Sequence, residues 1–90
     1  MRTPAYARQF ERDVKRLRKR GKDLDKLKMV IRCLAAGGAL DLVHRDHRLV
    51  GSYRGRRECH VESDWLLVYK MGRGSIIFER TGTHADLFRL

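Results

Sequence analysis

Histidines stand at positions 44, 47, 60 and 84, with Asp64, Trp65, Arg80 and Phe88 close to them along the chain. These residue types share one coherent chemistry. Cleaving RNA without a metal needs a base that takes the proton of a ribose 2′-OH and an acid that protonates the departing 5′-oxygen. It also needs a cation that steadies charge on the phosphoryl oxygens. Imidazole suits the first two roles, because an unperturbed pKa of about 6.5 lets it hold or release a proton near neutrality. A carboxylate such as Asp64 orients an imidazole or acts as base itself, and Arg80 brings a planar fork of donors. Trp65 and Phe88 offer faces on which a base can stack. Only RNA carries the 2′-OH nucleophile, so this chemistry also selects the nucleic acid.

Each of these residues has a plainer reading. His44 reads as a surface residue, His47 as a loop histidine and His60 as a half-exposed strand residue. Trp65 opens an apolar run and reads as core, and Phe88 reads as a clamp for the tail. Arg80 follows Glu79 and fits a cross-strand ion pair of little worth. A zinc site from His44, His47, Cys59 and His60 matches no regular finger spacing, and Cys59 and His60 point to opposite faces of a strand. The Gly51–Gly55 segment and Gly82 match neither a phosphate-binding loop nor a dinucleotide fingerprint, so no cofactor is expected. Cys33 and Cys59 form no CxxC pair and read as small buried hydrophobes in a reducing cytoplasm.

The elements that must position this set follow from hydrophobic period. Tyr6, Phe10, Val14 and Leu17 mark one face of a helix that Gly21 ends. Its start is open between a Thr3-Pro4 cap and a short edge strand over residues 2–6. Leu24, Leu27, Ile31 and Leu34 mark a second helix, closed by Gly37-Gly38. The short connection at Gly21 predicts an antiparallel helical hairpin. After residue 45 the period becomes two. Arg56, Glu58, His60 and Glu62 alternate with Arg57, Cys59 and Val61. Ser63-Asp64 is turn chemistry. Trp65–Tyr69 reads as a central strand, and Ser75–Thr81 returns beyond Gly72-Arg73-Gly74 with Ile76, Phe78 and Arg80 on one face. Thr83–Phe88 fits one helical turn capped by Thr83. The expected fold is α+β, a helical hairpin packed on one face of a small antiparallel sheet with a short C-terminal helical turn. If Cys59 and Val61 face the helices, His60 and Glu62 face away, which leaves an open polar face.

The 90 residues predict one domain. Lysine and arginine number 21 against 11 acids, a formal charge of +10. The first twenty residues hold eight basic side chains and two acids, whereas residues 61–90 are balanced at four each. So concentrated a charge is the footprint of a polyanionic partner, with nucleic acid favoured over an anionic membrane. No apolar run reaches membrane-spanning length, and the N-terminus MRTPAYARQF lacks the apolar core of a signal peptide. A cytoplasmic location is therefore expected.

Three ordered blocks carry a resemblance. They are Asp46-His47-Arg48-Leu49-Val50-Gly51-Ser52-Tyr53, Gly55 to Trp65, and Glu79 to Phe88. In these blocks the sequence resembles the RelE-like bacterial toxins, specifically the YafQ-type mRNA interferase branch. The resemblance implies a toxin of a type II toxin–antitoxin pair that enters the ribosomal A site and cuts mRNA there. An antitoxin protein would wrap it and block its site. By the same resemblance, His47, His60, Asp64, Arg80 and His84 are catalytic candidates, and Trp65, Phe88 and Arg56 are substrate-binding candidates. His84 would be the leading general acid and His60 with Asp64 the base side. His47 would assist proton transfer or hold the phosphate, and Arg80 would stabilise the transition state. Glu58 stands where Asp is expected, Arg48 where Pro is common, and Ala7 where Ser would cap the first helix. The resemblance favours a strand over residues 2–6. The rival function is a non-catalytic RNA- or ribosome-binding module that uses the basic helices alone.

Overall fold

A computed structural model describes residues 1–38, 40, 44, 46–49 and 55–88. Val50 to Tyr53 of the first resembling block, and residues 51–54 of the glycine-containing segment, lie outside the described residues. In chain order the elements are β1 (Thr3–Tyr6), α1 (Arg8–Lys19), α2 (Leu24–Ala35), β2 (His47–Arg48), β3 (Arg57–Glu62), β4 (Trp65–Gly72), β5 (Ser75–Gly82) and α3 (His84–Phe88). The strands form one five-stranded sheet in the order β1-β5-β4-β3-β2.

Helix α1 forms over the 3.6-residue period from Phe10 onward, and Phe10 and Leu17 on its apolar face are buried. Ala7 occupies its N-cap and makes no side-chain bond there, as expected of alanine. Gly21, at φ +80°, reverses the chain. Asp23 then caps α2 by accepting from the Asp25 N–H at 3.0 Å. Alternate residues of β4 feed two separate clusters. Trp65, Leu67 and Tyr69 pack with Phe10 and Leu17 of α1, with Leu27, Val30 and Leu34 of α2, and with Ile76 and Phe78 of β5. Leu66 and Val68 pack with Leu87, Phe88 and Leu49. The central strand is therefore covered on both faces, by α1 and α2 on one and by α3 on the other. Each large apolar side chain so buried contributes about 1.5–3 kcal/mol.

Four expectations change. The sheet is mixed rather than antiparallel, because β1 runs parallel to β5 with Thr3 opposite Ser75 and Tyr6 opposite Phe78. The helices and strands between β1 and β5 provide the long crossover that parallel pairing requires. Tyr6 belongs to that strand, not to the helix. It lies between the rings of Phe10 and Phe78, at centroid distances of 5.6 and 5.7 Å. Glu62 faces the helices: the β3–β4 register slips between His60 and Glu62, and Glu62 pairs with Lys22 and Lys26 at 3.1 and 2.8 Å. Arg80 leaves the face of Ile76 and Phe78, because the β4–β5 register skips Glu79 and sets Arg80 opposite Val68. In both cases one extra residue re-aims the side chains beyond it. Cys59 is fully buried as expected, whereas Cys33 is only half-buried. No helix among the described residues is long and apolar enough to cross a membrane.

Candidate active site

The site is assembled on the sheet face that carries α3. In register, Glu58 lies opposite Val68 and His60 opposite Leu66, so both share the face of the cluster beneath α3. The two-residue strand β2 sets His47 beside Glu58. Glu58, only 5 % exposed, stands between two imidazoles. Its Oε1 is 3.4 Å from Nε2 of His60 and 3.7 Å from Nε2 of His47. Nδ1 of His60 lies 3.3 Å from the Ser63 carbonyl, which only accepts, so Nδ1 carries a proton, and Nε2 faces the Glu58 carboxylate. The rings of His47 and His60 are 6.5 Å apart, and those of His60 and His84 are 5.8 Å apart in an edge-on arrangement.

His84 is the first residue of α3. Asp64, in the β3–β4 turn, accepts from its backbone N–H at 3.0 Å and contacts Nδ1 at 2.6 Å. These two bonds, the backbone one first, hold the Asp64 carboxyl below its usual range. An ionised carboxylate only accepts, so Nδ1 carries a proton and Nε2 is left to act on a substrate. The start of α3 is fixed by a reciprocal cap, in which Thr83 Oγ1 accepts from the Asp86 N–H and Asp86 Oδ2 accepts from the Thr83 N–H. Arg20 then grips both Asp86 oxygens at 2.7 and 3.0 Å. Phe88, one turn further, brings its ring 6.4 Å from that of His84.

The expected residues fall into three groups. His47, His60, Asp64, His84 and Phe88 come together, but Asp64 partners His84 rather than His60, and Glu58 takes the place beside His60. Arg80 and Arg56 reach neighbouring acids: Arg80 binds Asp13 through Nε at 2.8 Å, and Arg56 pairs with Glu79. Trp65 stands apart. It is fully buried, and its indole N–H donates to Thr81 Oγ1 at 2.9 Å, so it packs the core and cannot stack a base. The zinc set of His44, His47, Cys59 and His60 does not gather. Cys59 lies in the helix-side core, its thiol pushed up to about 12 chiefly by burial, and His44 Nδ1 contacts the His60 carbonyl at 2.7 Å. Among the described residues, Glu58, His60 and His84 have ligand atoms within 4.8 Å of one another and make the one metal-compatible trio.

Two residues of the site escaped selection from the sequence. Glu58 shares the period-two face of His60, and that alternation was its signal. Asp13 is an acid three residues after Phe10 and four before Leu17, on the buried stripe of α1, where a charge is out of place unless it is paired.

The profile of the family described as "Bacterial toxin of type II toxin-antitoxin system, YafQ" matches residues 2–89. This chain belongs to that family. The mRNA interferase toxin YafQ of Escherichia coli K12 is 48% identical over 84 residues, covering 92% of this chain and 91% of the relative. YafQ in the E. coli DinJ-YafQ complex superposes with a TM-score of 0.91 at 46% identity, covering 98% of this chain and 99% of that one. A metal-bound toxin from Helicobacter pylori superposes at 0.92 with 37% identity, covering 98% and 100%. The toxin's fold is thus the mixed α+β fold of these structures, with five strands and three helices.

Proposed function

We propose that this toxin is a ribosome-dependent endoribonuclease that cleaves mRNA in the A site and thereby arrests translation. The observation that carries the reading is the continuous chain His47–Glu58–His60–His84–Asp64 on one sheet face. Its two sides differ in character. His84 has Nδ1 committed to the Asp64 carboxylate, which leaves Nε2 to serve as the acid. His60 and Glu58 form the base side.

In the step proposed, the 2′-oxygen attacks the adjacent phosphorus as the His60–Glu58 side takes its proton. The bond from phosphorus to the 5′-oxygen breaks as His84 Nε2 protonates that oxygen. The products are a 2′,3′-cyclic phosphate and a 5′-hydroxyl, with no metal in the step. Arg80 compensates charge on the non-bridging oxygens. Phe88 bounds the pocket beside His84.

The exposed Arg8, Arg12, Lys15, Arg18 and Lys19 of α1 support docking on ribosomal RNA. The α1–α2 hairpin, read as an antiparallel pair over one sheet face, presents this basic surface away from the histidines. A body of 10.6 kDa has little surface with which to align free mRNA, so the ribosome supplies the positioning. The DinJ-YafQ complex supports an antitoxin partner for this chain. An acidic one fits its charge, in the cytoplasm where ribosomes are.

A translation assay with purified protein tests the reading. Wild type arrests translation and cuts the message, and His84→Ala and Arg80→Ala each lose activity by about 10²–10³-fold. Equal arrest by all three with intact mRNA would overturn it in favour of a binding module.

A further inference from the structure

The Asp13 carboxylate is fully buried in α1 and collects five donors. Oδ1 accepts from Gln9 Nε2 at 3.2 Å, Arg16 Nη2 at 2.7 Å and Arg80 Nη2 at 3.3 Å. Oδ2 accepts from Arg80 Nε at 2.8 Å and from the Thr81 backbone N–H at 3.0 Å. Burying a carboxylate is costly unless every lone pair is answered, so a buried acid on an otherwise apolar stripe marks a specific arrangement.

That arrangement converges on Arg80. Strand β1 stops pairing with β5 at Phe78, whose carbonyl takes the Ala7 N–H. Among the described residues, no strand lies beside β5 on that side beyond Phe78. There the register skips Glu79, turning Arg80 to the site face and presenting the Thr81 N–H at the edge. Asp13 meets both. One carboxylate therefore holds the backbone immediately after Arg80 and two nitrogens of its guanidinium, which fixes the plane of the fork. Two arginines share this single anion, so the cluster of Asp13, Arg16 and Arg80 keeps a net positive charge. The pairing orients Arg80 without neutralising it.

We propose that Asp13 is a positioning residue that holds the Arg80 guanidinium in register for the scissile phosphate. The inference rests on the nuclease reading of the site and adds to it a residue from the helical layer. Asp13 does not touch the RNA. Loss of its charge leaves Arg80 attached to the chain but free to swing, which weakens charge compensation in the transition state more than binding of the message.

Single-turnover cleavage on programmed ribosomes tests this with Asp13→Asn, Asp13→Glu, Arg80→Ala and the Asp13→Asn/Arg80→Ala double variant. Thermal melts identify the folded variants. The expected result is a fall in kcat of roughly 10- to 100-fold for Asp13→Asn with KM little changed, and no further fall when it is added to Arg80→Ala. Asp13→Glu keeps the charge but displaces it by one methylene. It falls in the same way, and it decides the matter if the Asn variant does not fold. An unchanged kcat in a folded Asp13 variant overturns the proposal. So does an equal fold-loss with and without Arg80, which would make Asp13 merely structural. A wild-type protein that cuts nothing overturns the nuclease reading itself, and the positioning role with it.

Discussion

The division of labour proposed for the site rests on which nitrogen of each imidazole is already committed. His84 gives Nδ1 to a carboxylate and His60 gives Nδ1 to a carbonyl, so each is left with Nε2 and has a different partner behind it. Asp64 has its carboxyl lowered by the His84 bonds, so whatever it contributes is present above the ordinary Asp value and is lost only as pH falls through its depressed folded value. It therefore stays ionised between pH 5 and 8, a window bounded at roughly one unit above the usual Asp value. Asp64→Asn is expected to reduce kcat by about 10- to 100-fold while leaving the message bound, measured in single-turnover cleavage. Cys59 makes a second residue-scale prediction. With its thiol raised to about 12 and no exposed surface, it resists alkylation in the native state. Peptide mass spectrometry after iodoacetamide treatment is expected to find Cys59 labelled only after unfolding. At this scale the histidines, Asp64 and Arg80 were readable from the sequence by type. The exchange of partners between Asp64 and Glu58 was not, because it depends on how a turn and a two-residue strand meet across space.

Local irregularities decide where the side chains go. Strict alternation correctly sends Cys59 to the helices and His60 to the opposite face, but that face is covered by α3 rather than open, and His60 is buried on it. The alternation then fails at Glu62 and at Arg80, each just past a register slip that no two-residue period reveals. The second failure bears on the proposed function, because the slip is what turns Arg80 away from the face of Ile76 and Phe78. Helix α3 is a single turn, too short to hold itself, and its cap and the Arg20–Asp86 grip supply what propensity does not. Arg20, with the cap bonds, drives the Asp86 carboxyl well below the usual range. The Asp86 contribution is therefore present above the unfolded Asp value of about 3.9 and is lost as pH falls through the depressed folded value. Asp86→Asn is expected to cost about 1 kcal/mol, or roughly 4–8 °C in Tm. Melts from pH 7 to pH 2 check the sign: the gap to wild type holds above about pH 5 and narrows below about pH 4.

For the whole molecule, the helix and strand periods, the glycine stops and the lopsided charge were enough to predict an α+β body with a basic helical layer. The parallel seat of β1 was invisible because its partner lies some seventy residues away, and local pattern carries no information at that distance. Trp65 shows the same limit in another form. Its aromatic face suggested stacking, yet it opens a strand buried on both sides. Trp65→Ala is expected to cost about 3–5 kcal/mol, a large share of the roughly 5–13 kcal/mol available to a chain of this size, as read by urea unfolding. With a charge of +10, the proposed ribosome association is expected to weaken steeply between 50 and 200 mM salt, by about 10-fold or more if several phosphates are contacted. Sedimentation at the two salt concentrations measures it.

In the proposed reaction, imidazoles, two carboxylates and a guanidinium on one face of the sheet cut mRNA that the ribosome holds in place. Mapping mRNA 5′ ends after brief expression of the wild-type toxin tests it most directly. Cuts within the reading frame that disappear when translation is blocked, and that are missing with His84→Ala, are the predicted result. Cuts that persist on untranslated message, or that survive the loss of His84, would contradict it.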